Sequence, residues 1–283
     1  MTEAGFVDSL EQDDVEWLMC SLDSLFGDTT SQATSDTAAR TLAERNYLSQ
    51  SAPAACQQKS TSDQEVAMSL FRLDASIRIE GSHSREIADI VEQEWRTAHP
   101  HSQVVSRHVG VDPIPATAWS TAVHASYLPA IHRSAEQVEA LNLAAELAGE
   151  LIDADALLFA VPLYNFGVSQ HFKTWVDLLI CDPRMTAGVE PAIAGKQAVL
   201  VTVRGGSYAQ GTPRAGWDHA TAWMRRILAD VWKLDLKVVE AEFTMAGVNP
   251  ALEPFKDLAK EIRIAAEQAA HEHGRSLAGA MRV

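Results

Sequence analysis

The sequence predicts an α/β protein: a doubly wound, five-stranded parallel sheet with helices on both faces. Two observations predict it. Strand-like and helix-like patterns alternate five times between residues 68 and 274. The strands, above all ALLFAV at 156–161 and AVLVTV at 198–203, are apolar on both faces, as in a parallel sheet that helices cover on each side.

The elements follow in order. MSLFRLDAS (68–76) is a strand that ends in small polar residues. SREIADIVEQEWRTA (84–98) carries Ile87, Ile90, Val91, Glu94 and Trp95 at helical spacing. QVVSRHV (103–109) is the second strand, and a long connection with Pro113, Pro115 and Pro129 follows it. Residues 132–155 read as a helix, 156–164 as a buried strand and 169–180 as a helix. KQAVLVTVRGG (196–206) is another buried strand, 216–232 a helix and LKVVEAEFTMAG (236–247) the fifth strand. The last helix covers about 252–274. Five such strands in one domain fit the flavodoxin-like order.

The chain divides near residue 66. Residues 1–65 hold 12 Asp and Glu against 3 Lys and Arg, which is −9 of the formal −15. From Gly27 to Glu65 the composition is mostly Ser, Thr, Gln, Ala and Asp, as in a mobile linker. Before it, Val15, Leu18, Met19, Leu22, Leu25 and Phe26 fall at helical spacing beside Trp17, so 10–26 is expected to form an acidic amphipathic helix. Two readings of that helix stay open. It packs on the body or on a second subunit, or it docks onto another protein. Residues 66–283 are expected to form the flavodoxin-like, ligand-binding domain.

Bulk properties exclude several classes. A charge of −15 lacks the clustered Lys and Arg of a nucleic-acid footprint. No apolar run is long enough for a membrane span, and the acidic start has no secretory pattern. Cys20, Cys56 and Cys181 are too few and too scattered for a disulfide framework, and no metal-ligand spacing is present. A cytoplasmic setting is expected.

In doubly wound sheets, ligands bind beyond the carboxyl ends of the strands. Three loops there carry chemistry. In DASIRIEGSHSRE (74–86), Ser76, Ser82 and Ser84 surround Gly81 just before a helix. Hydroxyls beside the unpaired N–H groups of a helix start suit a phosphate. His83, between the two serines, offers a further charge. In the second loop Pro162 and Leu163 lead into Tyr164, Asn165 and Phe166. There an amide between two aromatic rings suits the edge of a flat heteroaromatic ring, Gly167 is expected to relieve the turn, and Ser169 to cap the next helix. In the third, VRGGSYAQGTPRAGWD (203–218), Gly205 and Gly206 expose consecutive N–H groups beside Val203, Arg204, Ser207 and Tyr208. Phosphate, ring-edge and ring-face chemistry at one sheet edge fit one ligand, flavin mononucleotide (FMN). Phe172 and Trp175 share a helical face and read as core.

The run PLYNFGVSQHFKTWVD (162–177) resembles the signature of the FMN-dependent NADH-azoreductase and NAD(P)H:quinone oxidoreductase family. R-G-G-x-Y at Arg204 to Tyr208 resembles its second flavin loop, and Ser76…Ser82-His83-Ser84 its phosphate loop. The resemblance covers about 67–280; the first 65 residues have no counterpart in it. It implies that Ser76, Ser82, His83 and Ser84 hold the phosphate. Pro162 to Phe166 would line the ring, and Val203, Arg204, Gly205, Gly206 and Tyr208 would complete its cradle. It further implies a homodimer, NADH or NADPH as reductant, and a small aromatic electron acceptor such as a quinone or azo compound. The flavin would do the chemistry by two-electron transfer, with no side-chain nucleophile and no metal, and Tyr208 would either contact the substrate or wall the pocket, the wall being the favoured role. For proton delivery, water is expected ahead of His171, His219 or Tyr127. Two alternatives share the flavin: a reductase tailoring a specialised metabolite, and an electron carrier or sensor docking through the extension.

Overall fold

The computed structural model describes residues 68–279. The predicted extension, its helix over 10–26 and its linker lie outside the described residues.

Five parallel strands form the sheet: β1 (Ser69–Asp74), β2 (Gln103–His108), β3 (Ala156–Tyr164), β5 (Gln197–Val203) and β6 (Asp235–Ala241), in the order β2-β1-β3-β5-β6. A two-residue strand, β4 (Gly167–Val168), turns back antiparallel on the end of β3. The order is that of a flavodoxin-like sheet, whose switch point lies between β1 and β3. The three central strands are almost wholly buried, which is why they read as continuous apolar runs.

Each face buries its own core. On one side α1 (His83–Ala98) and the C-terminal helix α6 (Lys256–Gly279) pack on Leu70, Leu158 and Val201. The crossing of α1 and α6 is close: a Cβ on Gly274 would fall 2.9 Å from Glu94 Cβ and 3.1 Å from the Val91 backbone. On the other side lie α2 (Ala118–Ser126), α3 (Ala135–Asp153), α4 (Gln170–Leu179) and α5 (Thr221–Arg225). That core is aromatic. Fully buried Trp175 has its ring centroid 5.6–6.3 Å from those of Phe71, Phe159, Phe172 and Trp232, the spacing of stacked and edge-on ring pairs.

Four details depart from the sequence expectations. Helix α2 lies within the long three-proline connection, to which no element was assigned. It buries only Ala118, Ala122 and Ala125, so it shows no stripe of large apolar residues. The helix expected from 216 begins at Thr221, because Asp218 accepts from the Ala220 and Thr221 N–H groups at 2.9 Å each and caps it there. It then widens into a π-helical stretch at Arg226–Val231. The fifth strand ends at Ala241, not 247, because Phe243 takes a positive φ of 56° and starts a turn.

No helix among the described residues is long and apolar enough to cross a membrane. No group of three His, Cys, Asp or Glu among them is arranged to hold a metal ion.

Candidate functional site

The carboxyl ends of β1, β3, β5 and β6 meet around a cavity of about 310 Å³. Its two ends differ in chemistry.

The polar end is built by the loop between β1 and α1. Gly81, at φ +61°, makes a turn that L side chains resist and sets Ser82 at the N-cap of α1. Ser82 Oγ accepts from the Arg85 N–H at 3.5 Å and shares a 3.3 Å hydrogen bond with Ser84 Oγ. Ser76 Oγ accepts from the Arg78 N–H at 3.3 Å and pairs with the Tyr164 hydroxyl at 3.2 Å. All three serines are buried. Arg78 lines the same space, and among the described residues its guanidinium hydrogen-bonds the Gly81 carbonyl at 3.4 Å and the Met245 sulfur at 3.9 Å and pairs with no carboxylate. It is the cation here. Burial holds the His83 imidazole below its ordinary value, and Arg263 and Arg78 add to that effect against Glu86. His83 lines the cavity, and its surroundings disfavour the charged imidazole. Hydroxyls, a helix N-terminus and an arginine without a carboxylate together make an anion site.

The other end is flat and apolar. Tyr164 and Gly167 pair across a two-residue loop, and that loop is Asn165 (φ 49°) and Phe166 (φ 69°). Positive φ at both positions is the pattern of a type I′ hairpin turn. The sequence reading assigned the relief to Gly167, but the left-handed backbone falls on Asn165, which tolerates it, and Phe166, which does not. This strain projects both side chains over the cavity. Ser169 occupies the N-cap of α4 without capping it; its hydroxyl donates to the Ala75 carbonyl at 3.3 Å and joins the first two loops. The Phe166 ring meets Tyr208 edge-on at 6.1 Å and Trp217 at 5.2 Å.

Of the third loop, Val203, Gly205 and Tyr208 line the cavity, while Gly206 and Arg204 do not. Arg204 turns away. It is 6% exposed, and its guanidinium reaches Asp218 at 2.7 Å, Glu240 at 2.6 Å and Glu242 at 3.3 Å. It ties the loop to β6 rather than to a ligand. A Cβ on Gly205 would meet Met245 Cγ at 3.0 Å, so this glycine makes room for Met245. His171, His219 and Tyr127 do not line the cavity either.

Four lining residues escaped a functional assignment in the sequence: Arg78, Arg214, Thr244 and Met245. Arg78 and Arg214 lie within loops already singled out, but their side-chain directions are not legible there. Thr244 and Met245 follow β6. Their N–H groups donate to Arg204 O and Gly205 O, each at 3.1 Å, which clamps the glycine loop from outside. The signal was available: every strand of such a sheet ends at the same rim.

Ser82→Ala removes both a buried hydroxyl of this anion site and the α1 cap. The expected result is an FMN dissociation constant raised about tenfold, equivalent to ~1.4 kcal/mol, with about 1 kcal/mol of lost stability. Flavin titration and thermal melts check the two effects separately.

The comparisons agree with this architecture. A family model described as flavodoxin-like fold matches residues 68–266. An FMN-dependent NADH:quinone oxidoreductase of Frankia casuarinae is 40% identical over 203 residues, spanning 71% of this chain and 96% of the relative. One from Frankia alni is 38% identical over 202 residues, spanning 71% and 95%. Among solved structures, azoreductase AzrA superposes with a TM-score of 0.62 at 20% identity, covering 74% of this chain and 99% of its own. That last likeness concerns the fold.

Proposed function

The chain belongs to the flavodoxin-like family of FMN-dependent NADH:quinone oxidoreductases, and from that premise we propose that it is an FMN-dependent NAD(P)H oxidoreductase reducing quinones or azo compounds. The observation that carries this reading is the two-ended cavity: buried serines with Arg78 at one end, aromatic and backbone walls at the other.

FMN fits that division. Ser76, Ser82, Ser84 and Arg78 would hold its phosphate, and Pro162 to Phe166 with Gly205 and Tyr208 its ring. When bound, FMN supplies the two-electron exchange between nicotinamide and acceptor. The protein's part is binding and orientation. The strained Asn165–Phe166 turn holds an amide at the ring border. The clamp from Thr244 and Met245 fixes the Gly205 backbone, which would support the ring, and Tyr208 would exclude water as a wall. The proton is assigned to water, since among the described residues no His, Asp or Glu lines the aromatic end. A homodimer, a small aromatic acceptor and a cytoplasmic location complete the proposal, and a protein partner for the acidic extension is its least constrained part.

The test is a visible spectrum of the purified chain, taken anaerobically before and after NADH or NADPH. An enzyme of this kind shows a stoichiometric flavin band that bleaches within seconds and returns on adding a quinone. A chain that stays colourless after loading with FMN sinks the reading, and slow bleaching with good FMN binding points to an electron carrier.

A further inference from the structure

Arg214 lines the cavity at its aromatic end, opposite in character to the serine end. Its guanidinium lies 5.6 Å from the centroid of the Phe166 ring, and no carboxylate among the described residues pairs with it. Most arginines of the body instead bridge to acids, in a protein of net charge −15. Arg72, Arg107, Arg184, Arg204 and Arg263 all do so.

The segment carrying Arg214 is not loose. Thr212 Oγ1 donates to the Ala209 carbonyl at 2.8 Å, the Ala215 N–H to Thr212 O at 3.1 Å, and the Gly216 N–H to Tyr208 O at 3.3 Å. The His219 N–H donates to Phe166 O at 2.9 Å, which joins the far end of the loop to the residue beneath the guanidinium. Stacking on an aromatic face leaves the edge of a guanidinium free, and that edge presents paired N–H donors suited to a carboxylate or sulfonate.

We propose that Arg214 is a specificity-determining residue that grips an anionic substituent on the aromatic electron acceptor. The preferred acceptors are then quinones or azo compounds bearing a carboxylate or sulfonate beside the reducible group. The inference rests on the flavin oxidoreductase reading above. The acceptor is favoured over the nicotinamide dinucleotide as the source of the anion for a geometric reason. A planar acceptor lying against the Phe166 wall carries its ring substituents directly to Arg214. The phosphates of a dinucleotide are separated from the nicotinamide by a ribose.

The experiment compares 1,4-naphthoquinone-2-sulfonate with neutral 2-methyl-1,4-naphthoquinone in steady-state assays of the full chain loaded with FMN. Both are run at saturating NADH, for the wild type, Arg214→Gln and Arg214→Lys. Flavin content and the rate of flavin bleaching by NADH alone are measured first for each. Arg214→Gln is expected to lower kcat/KM for the sulfonate about tenfold while the neutral quinone stays within about twofold. Arg214→Lys should restore part of the difference, and raising the salt concentration should erode the wild-type preference for the sulfonate.

An equal fall for both quinones overturns the proposal, because Arg214 would then only position Phe166. No change for either overturns it as well. So does a slower bleaching by NADH with the sulfonate-to-neutral ratio unaltered, which would assign the guanidinium to the dinucleotide. A wild type that binds no flavin, or is not bleached by NADH, fails at the earlier reading instead, so the two failures are distinguishable.

Discussion

Gly110→Ala is expected to break the serine end of the cavity from a distance. Gly110 follows β2 and touches no ligand position, yet a Cβ there would lie 2.2 Å from the Ser76 carbonyl oxygen and 2.5 Å from its carbon. Both are backbone atoms and cannot rotate aside, so the end of β1 must shift. Ser76 would move with it, along with the hydrogen bonds that join Ser76 to Arg78 and to Tyr164. Overpacking of this kind costs about 1–3 kcal/mol of stability. The FMN dissociation constant is expected to rise by tenfold or more, ~1.4 kcal/mol or above. Gly206→Ala is the control, since a Cβ there meets nothing within 4 Å. Thermal melts and flavin titration of the two variants decide the matter. Native melting and native affinity for Gly110→Ala would refute the close approach.

Arg204→Met is expected to have the largest effect on stability. The side chain nearly preserves volume but removes the cation shared by Asp218, Glu240 and Glu242, and of the three only Glu240 keeps another arginine, Arg225 at 3.1 Å, among the described residues. Leaving buried charge uncompensated costs about 3–5 kcal/mol. The lower end applies here, because the Glu240 side chain is 36% exposed and water screens it. The cap of α5 weakens too, since Thr221 Oγ1 bonds both Arg204 and Asp218. Arg204→Lys should fall between, because an ammonium cannot match three carboxylates as a guanidinium fork does.

The pH dependence separates this account from simple loss of packing. Burial would raise the Asp218 carboxyl, but N–H and hydroxyl bonds from Thr221, the Ala220 N–H and the Arg204 charge hold it below its ordinary value. A depressed carboxylate contributes stability above its unfolded value, and that stability disappears as pH falls through the folded one. The wild type should therefore lose stability on acidification below about pH 4. Arg204→Met should lose less, so the gap between them narrows. A gap independent of pH from 7 to 3.5 would show that the charge cluster contributes little.

Particular elements show how far sequence reading reaches. The five strands were legible because central strands of a covered sheet must be apolar on both faces. The serine loop, the Pro162–Phe166 run and the paired glycines stood out as chemistry lacking a purely structural need, and most of those residues do line one cavity. Helix α2 was missed because it buries only alanines. The turn after β6 was missed because Phe243 and Thr244 look strand-like, and nothing local announces a positive φ at Phe243.

By itself, then, the order of residues determined the alternation of strands and helices, the core aromatics and the chemistry present at each strand end. Those properties depend on spacing along the chain and on the identity of side chains. Only the tertiary structure decided that Arg204 turns to three acids while Arg78 and Arg214 face the cavity, that burial disfavours the charged form of His83, and that Phe166 bears the strain once assigned to Gly167. Side-chain direction, burial and net local charge are set by neighbours distant in sequence, and the sheet order is what makes them neighbours.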